Sequence, residues 1–389
     1  MEDRARWVLE TLGAPDADVE LRPEAWAQVE RGERPEGDEI AEAFFHLARV
    51  EERDGPRDQH GRFPAEASCL DPLDPPLERL RRSLGAEPPR WGGSKFAVAL
   101  THDVDTPWRW TPIGVRGAAA RLKSHALARR GRAALREARA LSSVPVHRLR
   151  RTDPNWSFER VISIERERGA GSTFFVMAGH RHAADGASPE TYDRLRPRLV
   201  ETLRAGRAEI GLHGSYTAAE DPDRLQAEKD ALEELAGPVL GQRYHYLRID
   251  PHRCLALVAA GFKYDSSLGF PGAIGFRAGI AHPFRPWDFA TERPLDLVEI
   301  PLAVMDATFE ERYLNLSAPQ TEPHLMQLLE WAAEHGGGFS VLWHTDRFDP
   351  ASSQRWDQLY ERMIDKVYEL GGVCMSAGEL AQEVTASQR

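Results

Sequence analysis

The chain has 389 residues, 41% apolar and 29% charged, enough for one large α/β barrel with an appendage or for two to three ordinary domains. Its net charge of −11 argues against nucleic acid as a general partner. Cys69, Cys254 and Cys374 are scattered without a C-x-x-C pair, which excludes a disulfide framework and a thiolate zinc site.

The N-terminus, MEDRARWVLETLG, has no basic-then-apolar leader, and no apolar run approaches the roughly 18 residues of a membrane span. A cytoplasmic protein is expected. Residues 1–92 carry helical patterning (Trp7, Val8, Leu12, then Ile40, Phe44, Phe45, Leu47) broken by Pro/Gly/Asp turns, and form a mostly helical N-terminal extension. His60 and Arg62 are single polar residues in the turn-rich stretch 54–64, read as structural, with a reach toward a substrate as the minor reading. Pro72–Pro76 and AEPPRWGG (86–93) mark the boundary before a larger unit, 93–389.

That unit opens on FAVALTHDVD (96–105), an apolar run ending in His102, Asp103 and Asp105. In extended geometry the two carboxylates share one face and His102 takes the other. Two carboxylates on one face repel unless a cation or a shared proton lies between them. Between Trp108 and Thr152 stand twelve Arg or Lys and one acid, Glu137, in Ala-rich helical sequence. This basic insertion, 108–152, reads as a solvated helical segment. The sharper alternative is a footing for an anionic glycan, a phospholipid surface or a nucleotide-linked sugar.

Further β-rich runs follow at 173–177, 209–213, 244–249, 298–305, 339–344 and 372–376, with helix-length amphipathic stretches at 156–168, 189–205, 219–236, 322–335 and 351–370. The alternation predicts a mainly parallel sheet, closed or doubly wound. No dinucleotide or P-loop glycine motif is present. Several runs end in reactive groups: His213 after EIGLH, His245, Arg248 and Asp250 in YHYLRIDP, Asp265 in KYDSSLGF, and His344 followed by Asp346 and Arg347. If the strands are parallel, His102–Asp105, His213, Arg248 and His344 share one rim, where carboxylate, imidazole and a held metal are equipment for hydrolysing an amide or ester.

Taken in order, LTHDVD, STFFV, GLHGSY, LRIDP, YDSSLGF and VLWH resemble the motifs of the polysaccharide deacetylases, which share the NodB-like domain. The resemblance covers about residues 93–380 and implies a distorted (β/α)7 barrel that removes N- or O-acetyl groups from a carbohydrate or glycan precursor with a divalent ion, zinc first. It implies Asp103 as general base, Arg248 as the cation orienting it, and His344 as general acid. It implies His213 as a metal ligand, Leu342 as a wall of the acetyl pocket, and Tyr216 and Asp265 as substrate-binding residues. The family's second Asp falls at Val104, so Asp105 is the substitute. Its second His falls at Thr217, and His245 becomes the candidate third ligand if a bulge turns it inward, with His102 or a water as the others. Two other functions stay open: a lapsed barrel that binds glycans, and hydrolysis of a non-sugar C–N bond such as a cyclic amide.

Overall fold

Phe96–Val104 (β1) is buried at all nine positions, as a strand covered on both faces must be. In the computed structural model, which describes residues 1–180, 182–186, 188–349 and 354–387, this strand is the centre of a parallel sheet. The strands are β2 (Thr173–Val176), β3 (Glu209–Gly214), β4 (Gly241–Tyr244), β5 (Tyr264–Asp265), β6 (Trp287–Asp288), β7 (Arg293–Pro294), β8 (Val298–Glu299), β9 (Leu302–Met305), β10 (Gly337–Leu342) and β11 (Val373–Met375). The order β8-β5-β4-β3-β2-β1-β10-β9 is parallel throughout, with β11 beside the first half of β1 and β2 beside its second half. β6 and β7 form a separate antiparallel pair.

The two ends of that order, β8 and β9, are separated in the chain by Ile300 and Pro301 alone, so the sheet curls round on itself as a (β/α) barrel. One strand was expected over 298–305. Proline lacks the amide that would continue the ladder, and the register with β10 shifts just beyond it, at Ala303 within β9. The expected strand 244–249 lies three residues too late: β4 ends at Tyr244, and Tyr246 and Leu247 take left-handed backbone (φ 63° and 52°). Non-glycine residues held there are strained, and such strain is common beside functional sites.

The helices are α1 (Glu2–Thr11), α2 (Pro23–Glu30), α3 (Glu39–Leu47), α4 (Pro76–Ser83), α5 (Pro112–Leu127), α6 (Gly131–Arg150), α7 (Phe158–Glu167), α8 (Pro189–Ala205), α9 (Pro222–Ala236), α10 (Cys254–Ala259), α11 (Ala318–His335), α12 (Trp356–Glu369) and α13 (Ala377–Ser387). The helix expected over 351–370 begins on residues 351–353, which lie outside the described residues.

The N-terminal helices do not stand apart from the barrel. Trp7 of α1 and Phe44 of α3 pack on Trp287, ring centroids 5.3 and 5.8 Å away, within one cluster that continues through Phe96, Val98 and Phe174. Buried ions add to this contact: Glu52 is clasped by Arg277 and Arg49, and Glu78 by Arg81 and His282. The basic segment forms a hairpin of α5 and α6. Its own apolar cluster (Trp110, Val115, Ala118, Ala140, Leu141, Val144) is separate from the barrel core.

Candidate active site

Parallel strands deliver their C-terminal ends to one rim, and this rim gathers the reactive groups. On β1, Arg243 Nη1 donates to both Thr101 Oγ1 (2.8 Å) and Asp103 Oδ1 (3.0 Å), so Thr101 and Asp103 face the barrel interior. His102 points the other way, to the Trp343 carbonyl (2.6 Å), Glu165 of α7 (2.7 Å) and Tyr360 of α12. It is a satisfied structural histidine and is not near the rim groups.

Arg243, not Arg248, holds Asp103. Because β4 ends at Tyr244, Arg243 is an interior strand residue in register with His213. Its guanidinium is fully buried over the Phe175 ring (4.5 Å) and also donates to the Ser266 carbonyl (2.7 Å) and hydroxyl (2.9 Å). Gly211 makes room for that ring, since a Cβ there would lie 2.5 Å from Phe175. Arg248 lies beyond the left-handed turn and donates instead to the carbonyls of His60 (3.0 Å) and Tyr216 (2.8 Å) and to Glu220.

The same shift of β4 brings His245 inward without a bulge, because it lies two residues from Arg243 on the alternating face. His245 Nε2 is 3.6 Å and His213 Nε2 3.2 Å from Asp105 Oδ1. The three residues offer ligand atoms within 4.8 Å of one another. His213 Nδ1 donates to the Arg243 carbonyl (2.9 Å), since a carbonyl can only accept, and this leaves Nε2 facing Asp105. His245 Nδ1 is held by Asp185 (3.3 Å), a carboxylate behind an imidazole as metal sites commonly have.

Two of these buried atoms, His213 Nε2 and Asp105 Oδ1, have no hydrogen-bond partner among the described residues. A lone pair facing a carboxylate oxygen is repulsive unless a cation or proton lies between, so the donor set fits a divalent ion bound by two imidazoles and a carboxylate. Burial alone would raise Asp105, yet His245, His213 and His344 hold it well below the usual carboxylate range. Burial would lower His245, but Asp105 and Asp185 push it up to about 9. Thr217 takes no part; its hydroxyl accepts from Arg224 (2.8 Å). Val104 is buried on the opposite face from Asp103 and Asp105.

His344 follows β10 on the far side of the carboxylates, Nε2 3.6 Å from Asp105 Oδ2. Its Nδ1 donates to Asp306 (2.5 Å), which Arg347 also binds (2.6 Å). Burial would lower His344, but Asp306 first and then Asp105 push it up to about 10. The cleft above these groups, of about 220 Å³, is lined by Arg62, Tyr246, Leu247, Met305, Arg312 and Tyr313 together with Asp103, Asp105, His245 and His344.

The other expected substrate groups lie elsewhere. Leu342, 1% exposed, packs in one apolar cluster with Leu247, Met305 and Ala307, and those three line the cleft in its place. Asp265 is fully buried beneath the site, bonded to Gln242 and Ser267; burial raises it, and burial with the nearby Asp265 charge raises Glu299 well above its ordinary range. Tyr216 stands at the rim, stacked on His182 (4.4 Å), in contact with His60 (3.2 Å) and beneath Arg248. Arg62, read as structural, donates to the Tyr246 carbonyl (2.9 Å) and the Tyr313 hydroxyl (3.1 Å) and lines the cleft.

Sequence reasoning passed over Arg243, Asp185 and Asp306. Arg243 and His245 have the period of two that marks one strand face. Asp306 ends the apolar run VEIPLAVM in a carboxylate, the same signal that singled out Asp103. Asp185 follows no strand and gave no signal. A second group, His46, Glu51 and Cys69, also offers clustered ligand atoms. It fits a metal poorly: Glu51 is engaged by Arg49, Ser68 and the Cys69 amide, and burial with Glu51 pushes the Cys69 thiol up to about 12.

No family model and no curated protein matches the sequence. Solved structures do. A protein designated a candidate polysaccharide deacetylase from Mycobacterium smegmatis is similar with a TM-score of 0.50 and 21% identity, over 78% of this chain and 95% of that one. PuuE allantoinase is similar with a TM-score of 0.52 and 14% identity, over 82% of this chain and 98% of that one. At these identities the likeness is one of fold, that of a polysaccharide-deacetylase-type barrel.

Proposed function

We propose that the chain is a metal-dependent hydrolase that removes an N- or O-acetyl group from a carbohydrate, with Asp105, His213 and His245 holding a divalent ion, zinc first. The observation that carries this reading is the open donor set with its two unpartnered buried atoms, flanked by an arginine-held carboxylate and an aspartate-held imidazole. The bound cation would polarise the acyl oxygen and offset part of the negative potential that Asp105 exerts on His344.

The chain's own residues then divide the proton work. Arg243 fixes Asp103 through Oδ1 and leaves Oδ2 turned toward His213 Nε2 (3.7 Å), where it can take a proton from a water attacking the acyl carbon. As the carbon–nitrogen or carbon–oxygen bond breaks, His344 Nε2 gives its proton to the departing atom, and Asp306 on Nδ1 stabilises the ring in its charged form. Leu247, Met305 and Ala307 offer an apolar wall for a small acyl group, and Tyr246 and Tyr313 offer faces to a sugar ring.

Acetate release from a panel of N- and O-acetylated sugars tests this reading, with cyclic amides alongside because fold alone does not settle the substrate. Chelation should abolish release and zinc or cobalt should restore it; release unchanged by chelation would remove the metal. Sugar binding without release at any metal concentration would instead favour a lapsed, glycan-binding barrel. His245 weakens that alternative, since it supplies a third donor where Thr217 supplies none.

A further inference from the structure

We propose that the α5–α6 hairpin docks the protein on an anionic phospholipid bilayer. Three observations on the hairpin carry the proposal.

The first is charge. Twelve Arg or Lys stand between Trp108 and Thr152 in a chain whose net charge is −11, so the rest of the molecule is strongly acidic. The one acid of the segment, Glu137, is taken up inside the hairpin by Arg121 (3.0 Å) and lies 3.9 Å from Arg109. Among the described residues, Arg116, Lys123, Arg136, Arg139, Arg148 and Arg150 have no carboxylate partner. Their charge is uncompensated, and an anionic surface is its complement.

The second is exposed apolar surface interleaved with that charge. Leu149 is 86% exposed, Leu127 76%, Leu135 51%, Val146 49% and Ile113 45%. On α5, Ile113, Arg116, Ala120, Lys123 and Leu127 recur at helical spacing along one stripe. On α6, Leu135, Arg139, Ser142, Val146 and Leu149 do the same. A solvated helix has no use for leucines on its outer stripe. A helix lying in a headgroup layer does: apolar side chains enter the acyl boundary while Arg and Lys extend to the phosphates. A dissolved polyanion such as a nucleic acid would complement the cations and leave the leucines in water.

The third is position. The hairpin packs on its own small cluster, separate from the barrel core. Its root leaves β1 directly after Asp105, and its tip is tied back by Arg130 to Glu311 (2.5 Å), next to Arg312 and Tyr313 of the cleft. A bilayer under the hairpin therefore lies beside the cleft mouth. The docking itself does not rest on the hydrolase reading.

The test is co-sedimentation of the full-length protein with vesicles of phosphatidylglycerol or of phosphatidylcholine. Binding to phosphatidylglycerol alone, falling as salt rises, is expected. Replacing Arg116, Lys123 and Arg139 together by Ser should weaken binding on the order of a hundredfold, and each single replacement about fivefold. Leu127→Ser with Leu149→Ser keeps every charge and should weaken it about tenfold. Far-UV circular dichroism identical to the parent shows that each variant is folded, and the single replacements serve where the triple is not. No binding to phosphatidylglycerol overturns the proposal. So does binding that the leucine variant leaves unchanged, which would mark a ligand held by charge alone. A soluble dimer that the leucine variant dissolves, with no vesicle binding, overturns it as well.

Discussion

Arg243 and Arg248 carry the same charge five residues apart, and they end in different chemistry. Arg243 is a fully buried cation whose compensation is Asp103, whereas Arg248 is spread over carbonyls and the exposed Glu220. Arg243→Met should lower kcat by about 10²–10⁴, the range of a lost positioned base, as should Asp103→Asn. It should also destabilise the fold by about 3–5 kcal/mol, because Asp103 would stay buried and unpaired. Arg248→Met should cost less than tenfold in kcat. Acetate-release kinetics with denaturant unfolding on the three variants checks this, and equal losses at 243 and 248 would return Arg248 to the role first assigned to it. Residue type was legible in the sequence here and residue choice was not. LRIDP looks like a strand end, and only the left-handed turn at Tyr246 and Leu247 shows that the strand has already stopped.

Among elements, the pairing of β9 with β10 sets the environment of His344, the proposed acid. β9 delivers Asp306 and β10 delivers His344, and their parallel register brings the carboxylate to Nδ1. Removing that carboxylate has a definite sign: Asp306 raises His344, so Asp306→Asn lets its pKa fall from about 10 toward the ordinary range near 6.5. If His344 acts as the acid, the alkaline limb of the kcat profile should move to lower pH in this variant, and an unmoved limb would assign the proton to another group. Both strands were legible as apolar runs, but nothing local places β9 beside β10, because the partner of a strand is a property of the sheet. The interruption at Pro301 was legible in principle, since a proline cannot sit in a central ladder.

Over the whole molecule, the N-terminal extension and the barrel share one core and two buried ionic clusters. Burial alone would raise Glu52 and Glu78. Arg277 and Arg49 hold Glu52 down to about 2, and His282 and Arg81 hold Glu78 down to about 2. Folded values below the ordinary glutamate range, about 4.3, mean that this stability is present above that range and is lost as pH falls toward 2. Acid should therefore loosen the contact between extension and barrel. Glu52→Gln should cost about 3–5 kcal/mol at neutral pH, since it leaves Arg277 and Arg49 buried with one charge too few. Denaturant melts of parent and variant at pH 7 and pH 3 check both statements: the difference between the two proteins should shrink at the lower pH, and a constant difference would show that the carboxylate's charge is not what stabilises the contact.

The sequence by itself determined the class of fold and the inventory of reactive groups. Buried parallel strands need unbroken apolar runs, and strand-end carboxylates and imidazoles stand out against them, as Asp103, Asp105, His213 and His344 do. It also determined that Asp103 and Asp105 share a face and His102 does not, because alternation is a local rule. The tertiary structure alone decided which cation meets Asp103, that His245 stands where Thr217 might have, that Asp306 lies behind His344, and that Asp265 is sealed in the barrel. Each of these is a contact between strands distant in the chain. Such contacts depend on register and on where a strand stops, and a shift of three residues at β4 was enough to exchange one arginine for another.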